Sequence, residues 1–298
     1  MRKLSGLPLV FIWAAVLASS FKMAQAVTVT PPQPPPPLDA FGANAGGYLP
    51  NFVVACPISH RDALDPIVSF GVKPTAHLHD FFGNTSLNEF STVASLQAAT
   101  TTCHRSADRS GYWLPTLYQN GVEVTPIRLD VYYQSARSSV SNNLQTLPPG
   151  LKMIAGEAHS TTPQDTSIVG WACGPQGQRS ADVPTGCYTG QNATKPKYSY
   201  YQFFFPNCWN GVNLDSADHQ RHMAYGKDNV CPATHPILVP TVRFVLIYPF
   251  LGEGGPGVTF SSHGKYSAHA DFMNGWDQSA LKTLINRCIL SGARCGVN

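Results

Sequence analysis

The chain has 298 residues, of which only 12% are charged, and a net charge of +3. Its Lys and Arg residues are scattered, with no basic stripe interleaved with aromatics, so a nucleic-acid partner is not expected. An apolar fraction of 43% excludes a disordered chain, and 25 glycines with 25 prolines point to many turns and short elements.

Residues 1–26 read as a secretory signal. Arg2 and Lys3 open it, an apolar run extends from Leu7 to Leu17, and Ala24-Gln25-Ala26 is a small-residue cleavage pattern. That run is too short to span a bilayer and no later stretch reaches about 18 apolar residues, so no membrane anchor is expected. Residues 27–38 hold Pro31-Pro32-Gln33-Pro34-Pro35-Pro36-Pro37, an extended, semi-rigid spacer. Residues 39–298 then form a single β-rich domain, expected to be secreted, to the extracellular space or the cell wall, and monomeric.

The short runs 52–55, 76–82, 113–118, 122–133, 151–155, 168–173, 198–205 and 242–248 are rich in aromatic and β-branched residues and are bounded by Gly, Pro and Asn. They predict strands. Asn120-Gly121 predicts a two-residue hairpin turn between its neighbours. Helix is expected at 91–99, capped by Ser91, and at 276–290. In the second, Asp277 caps and Ala280, Leu281, Leu284, Ile285, Cys288 and Ile289 form an apolar stripe. The fold class is mainly β: an antiparallel sandwich or jelly-roll-like domain with long loops and a C-terminal helix.

All eight cysteines follow the signal, which in an exported chain argues for disulfides. Spacing alone does not give connectivity. Pairing of sequence neighbours is expected: 56–103, 173–187, 208–231 and 288–295. No CxxC spacing occurs, so a thiolate zinc site has little support. Asn84-Thr85-Ser86 and Asn192-Ala193-Thr194 fit the glycosylation pattern, but Asn84 closes a distinctive motif and is expected to be used internally.

That motif is His77-Leu78-His79-Asp80-Phe81-Phe82-Gly83-Asn84. On a strand, His77, His79 and Phe81 share one face and Leu78 and Asp80 the other. Three later stretches are candidates to meet it: 205–211, Asp215 to Met223, and His269 to Trp276. The motif resembles the signature of a domain-of-unknown-function family of secreted fungal and bacterial proteins. The likeness continues through Tyr112-Trp113-Leu114-Pro115, Phe205-Pro206-Asn207-Cys208-Trp209, Asn213-Leu214-Asp215-Ser216, His222-Met223-Ala224-Tyr225 and His269-Ala270-Asp271-Phe272. It implies a cell-wall or polysaccharide setting. Asn210 departs from it, since an acidic residue often follows the Trp.

Two chemistries fit these residues. His77 and His269 are candidate ligands of a divalent metal ion, His77 and His79 through the His-X-His spacing, with His219-X-X-His222 as another pair. Alternatively, His79 and His222 transfer protons while Asp80, Asp215 and Asp271 act as acid/base or orienting carboxylates, cleaving a polysaccharide or glycoconjugate by hydrolysis or elimination. Trp113, Trp209 and Trp276 would then stack on sugar rings. The competing reading is a non-catalytic carbohydrate-binding or wall-associated module, in which these histidines and carboxylates serve loops and the tryptophans fill the core.

Overall fold

Two sheets face each other across an aromatic core. The first has five strands in the order Ile58–Asp62, His79–Gly83, Gly111–Pro115, His269–Met273 and Lys152–Gly156, antiparallel throughout. The second has six, in the order Arg294–Cys295, Asn51–Cys56, Arg128–Gln134, Thr241–Pro249, Tyr198–Phe204 and Val169–Ala172, with only the first pair parallel. This computed structural model describes residues 49–135, 143–187, 198–227 and 229–296. The signal segment, the spacer and the Asn192 sequon lie outside them.

Alternation along each strand builds the core. Phe82, Tyr112, Leu114, Met153 and Phe272 of the first sheet meet Phe52, Val131, Tyr133, Phe203, Phe244 and Leu246 of the second, all fully buried. The Tyr112 and Phe244 rings sit 5.4 Å apart edge-to-face, and Phe205 and Phe244 4.6 Å apart. Each such side chain contributes roughly 1.5–3 kcal/mol by leaving water. One buried polar chain crosses this interior. Tyr112 donates to Asp108 Oδ2 at 2.6 Å, its hydroxyl lies 2.7 Å from that of Tyr133, and Trp276 Nε1 donates to Tyr133 at 2.9 Å.

The C-terminal helix Gln278–Leu284 starts where expected, with Asp277 Oδ1 accepting from Ala280 N at 2.8 Å. It continues as wider π-type turns through Ile285–Leu290, and Leu281, Ile285, Cys288 and Ile289 are buried. The other helix is shorter than expected, Val93–Ala98. Thr92 caps it rather than Ser91, because Thr92 and Ser95 satisfy each other's backbone N–H reciprocally. The expected strand 122–133 is two strands, Val122–Val124 and Arg128–Gln134, since Pro126 between them has no N–H to pair. The Asn120-Gly121 turn forms, both residues at positive φ, between Leu117–Gln119 and Val122–Val124.

All four disulfides join sequence neighbours: Cys56–Cys103, Cys173–Cys187, Cys208–Cys231 and Cys288–Cys295. Asn84 is fully buried. Its Nδ2 donates to Leu96 O and Arg109 O, and its Oδ1 accepts from Ser86 N, so it pins a turn and is not available to a glycan.

Candidate functional site

The five-stranded sheet turns its second face away from the core, and the histidines are there. Phe82, Tyr112 and Phe272 point inward, so by alternation His79, Phe81, Trp113, His269, Asp271 and Met273 point outward. His79 is in register with Pro115 and Asp271 with Trp113, so the strands bearing His79 and His269 flank the Gly111–Pro115 strand. Leu64 and Ile67 pack on this face with Phe81, Trp113 and Met273, laying the segment that contains Asp65 over the site.

Three imidazoles converge. His79 Nε2 lies 3.3 Å from His269 Nε2, and His77 Nε2 lies 3.4 Å from the same atom. His79 Nδ1 donates to Leu64 O at 2.9 Å, and His269 Nδ1 to Ser267 O at 3.3 Å. A carbonyl only accepts, so each Nδ1 carries the proton and each Nε2 presents a lone pair. Burial keeps all three rings neutral: it holds His79 well below its ordinary value, His77 down to about 4 and His269 down to about 3. Bare nitrogens facing one another repel unless a cation lies between them. A tetrahedral ion at about 2.0–2.1 Å from each nitrogen spaces its ligands about 3.3–3.4 Å apart, the distance of His79 Nε2 and of His77 Nε2 from His269 Nε2.

Two buried carboxyls adjoin the trio. Asp271 is fully buried, neither of its oxygens has a hydrogen-bond partner, and Oδ2 lies 3.8 Å from His269 Nε2. Burial pushes its carboxyl well up, and Asp65 adds to that. Asp65, His79 and Asp271 bring one ligand atom each within 4.8 Å of one another. Asp65 Oδ1 accepts from Ile67 N and Val68 N. An orphaned buried carboxylate is costly, and a cation at the neighbouring trio offsets that cost.

These groups floor a cleft of about 300 Å³ whose walls include His159, His219 and His263. His219 Nδ1 donates to Asp215 Oδ1 at 2.9 Å, and Asp215 is held by Lys152 Nζ at 3.0 Å and by Ser216 N. Burial alone would raise Asp215; Lys152 and His219 outweigh it and bring the carboxyl below its ordinary value. With Nδ1 committed to Asp215, His219 has Nε2 on the side of the ring away from this dyad, and its backbone is at a φ of 58°.

The structure gathers some of the expected residues and separates others. His77, His79, His269 and Asp271 meet, with His79 presenting its Nε2 to His269 beside His77, and Asp215 orients His219. Asp80 does not belong to the cleft. It lies on the strand's other face, where its Oδ1 accepts from Arg61 Nε at 2.5 Å and Thr116 Oγ1 at 3.0 Å. His222 does not line the cleft either: it is buried, with Nε2 at 2.6 Å from Lys152 O and Nδ1 at 3.0 Å from Ser216 Oγ. His219, three residues earlier, occupies the position expected of it. Trp113 and Trp276 are fully buried and cannot stack on a sugar, and Trp209 Nε1 is tied to Asn213 O. Asn210, the departure from the acidic residue, accepts from Val212 N and Asn213 N as a turn former.

Asp65, His159 and His263 were not singled out by the sequence as site residues. His159 and His263 are exposed loop residues, their rings 5.4 Å apart, and nothing in their local sequence marks them. No curated protein and no solved structure matches the chain. One protein-family profile matches, described as "Domain of unknown function (DUF1996)", over residues 65–276, a span that contains every cleft residue named above.

Proposed function

For a chain that belongs to the DUF1996 family, we propose the function of a metal-dependent enzyme that cleaves an extracellular polysaccharide by hydrolysis or elimination. The observation that carries this reading is the convergence of three Nε2 atoms, those of His77 and His79 at 3.4 and 3.3 Å from that of His269, with the lone pairs of His79 and His269 fixed by their Nδ1 bonds. A divalent ion held there supplies Lewis acidity and lowers the pKa of a bound water. His79 and His269 are held in the ligating tautomer by Leu64 and Ser267, which is how metal-binding imidazoles are oriented. Asp271, whose oxygens have no partner within the fold, is placed at the floor of the cleft to take a proton from substrate or water, and the His219–Asp215 dyad moves a proton to or from substrate at His219 Nε2.

Export is supported by the signal-like residues 1–26 and by four disulfides, which persist in oxidising compartments. Among the described residues no helix is long and apolar enough to cross a membrane. The polysaccharide assignment rests on the resemblance set out above and on a cleft whose volume of about 300 Å³ suits a sugar unit. A non-catalytic binding module is less well supported, because two of the three tryptophans it would present are buried. The test is product release from fungal, plant and bacterial wall polysaccharides, before and after chelation and after zinc, manganese or copper is restored. Release that is lost on chelation and regained with a metal supports the reading; no release from any polysaccharide with any metal overturns it.

A further inference from the structure

A second candidate site lies on the outer face of the six-stranded sheet. Arg243, in the Thr241–Pro249 strand, is in register with Tyr132 on one side and Phe204 on the other. Its guanidinium carbon stands 5.1 Å from the Tyr132 ring centre and 5.0 Å from that of Phe204, while Arg179 lies 4.2 Å over Phe204. Two cations therefore share one aromatic ring, an arrangement in which they repel each other unless something negative joins them.

Arg243 is only 5% exposed. One Nη donates to Gln202 Oε1 at 2.9 Å, but Nε has no partner, and no carboxylate among the described residues pairs with the guanidinium. The contrast is with Arg128 on the adjacent strand, whose Nε donates to Asp130 Oδ1 at 2.7 Å. Burial holds the pKa of Arg243 down to about 10; Tyr132 opposes the shift and Arg179 adds to it. A buried guanidinium without a counter-ion is strongly destabilising, and its fork matches a planar or tetrahedral oxyanion.

A pocket of about 220 Å³ adjoins these residues. Asn51, Gln134, Gln176, Arg179, Phe204 and Arg243 line it with Leu49 and Gly177, and none of them is acidic. Donors remain to a ligand on Arg243 Nε, on the second Nη of Arg179 (its Nε and other Nη donate to Thr166 O and Ser167 O), on the amides of Gln134 and Gln176, and on Asn51, whose Nδ2 also donates to Leu49 O, with one apolar ring between them.

We propose that this pocket binds one oxyanion group, a carboxylate, sulfate or phosphate, through Arg243 and Arg179. The amides of Asn51, Gln134 and Gln176 complete the donor set, and the Phe204 ring limits how far the ligand can tilt. The proposal is independent of the histidine cleft, which lies on the other sheet.

The test titrates the full chain with acetate, glucuronate, sulfate and phosphate at constant ionic strength made up with chloride, following binding heat and melting temperature. At least one of the four is expected to give saturable, single-site binding and a rise in melting temperature that chloride does not give. Preference for glucuronate identifies a sugar acid as the source of the group; preference for sulfate or phosphate identifies an inorganic or esterified oxyanion. Arg179→Gln, a half-buried position, is expected to weaken binding by about tenfold or more through loss of a charge-assisted bond. Arg243→Gln is expected to abolish binding, and if that variant does not fold, Arg179→Gln decides alone. Saturable binding by none of the four anions overturns the proposal, as does binding that Arg179→Gln leaves unchanged.

Discussion

His79 and His269 reach toward each other from strands on either side of the Gly111–Pro115 strand and bring their Nε2 atoms to 3.3 Å, each with its Nδ1 proton already given to a backbone carbonyl. Neither can donate to the other. The sheet therefore holds two lone pairs at a separation that a shared cation stabilises and that its absence penalises, and His77 brings its Nε2 to 3.4 Å from that of His269.

Asp271 is expected to matter for chemistry and not for folding. Asp271→Asn keeps the shape of the buried side chain and mimics the neutral carboxyl that burial favours in metal-free protein. It should melt within about 1 kcal/mol of the parent when both are stripped of metal, yet lose about 10²–10⁴-fold in turnover, the usual range for a positioned proton-transfer group. A variant that keeps full turnover on the responsive polysaccharide removes Asp271 from the mechanism.

Asp80 gives the opposite pattern. It is fully buried against Arg61 and Thr116 on the other face of the strand. Asp80→Asn should lower stability by roughly 1–3 kcal/mol, since the donors that faced the carboxylate lose their charged acceptor. Turnover per folded molecule should not change. Chemical denaturation and an assay normalised to folded protein separate the two residues, and a large fall in normalised turnover contradicts the placement.

The His219–Asp215 dyad can be read through kinetics. His219→Ala should lower kcat by about 10²–10⁴-fold, and Asp215→Asn by part of that, because Asp215 only fixes the ring. His222→Gln should instead act on stability, since both of its ring nitrogens are bonded inside the fold. Equal kinetic losses at His219 and His222 contradict the assignment.

Much of this architecture was legible in the chain. The Asn120-Gly121 turn and the Asp277 cap follow from local rules and both are present, and the disulfides join sequence neighbours as expected although spacing alone does not dictate that pairing. Strand alternation already separated His79 from Asp80, although closeness in sequence made Asp80 look like a partner. What local rules do not carry is long-range placement. Asp65 reaches the site because Leu64 and Ile67 dock on Phe81 and Trp113, and His219 lines the cleft while both ring nitrogens of His222 are bonded inside the fold. The tryptophans illustrate the same limit: type and motif do not distinguish a ring in the core from one on a surface, and here packing against Phe52 and Tyr133 buries Trp276.

Asp108 predicts a pH dependence of stability away from the cleft. Burial raises its carboxyl to about 6, although Tyr112 and Ser110 donate to it. The folded chain then binds a proton more tightly than the unfolded one, whose carboxyl has the ordinary value of 3.8. Its contribution is most favourable below about pH 4 and declines as pH rises to about 6, at roughly 1.4 kcal/mol per unit at most. Subtracting urea-unfolding profiles of Asp108→Asn from those of the parent isolates this slope. A difference that stays flat from pH 4 to 7 contradicts it.

The most direct test of the central claim is the metal content of purified, dialysed protein by plasma mass spectrometry, with calorimetric titration of zinc into chelator-stripped protein. The account predicts about one tightly bound divalent ion per chain, a higher melting temperature when it is bound, and loss of both in His79→Ala and His269→Ala. His222→Gln, outside the trio, should keep the ion. Protein that binds no zinc, manganese or copper, or that binds them equally well without His79 and His269, contradicts the account.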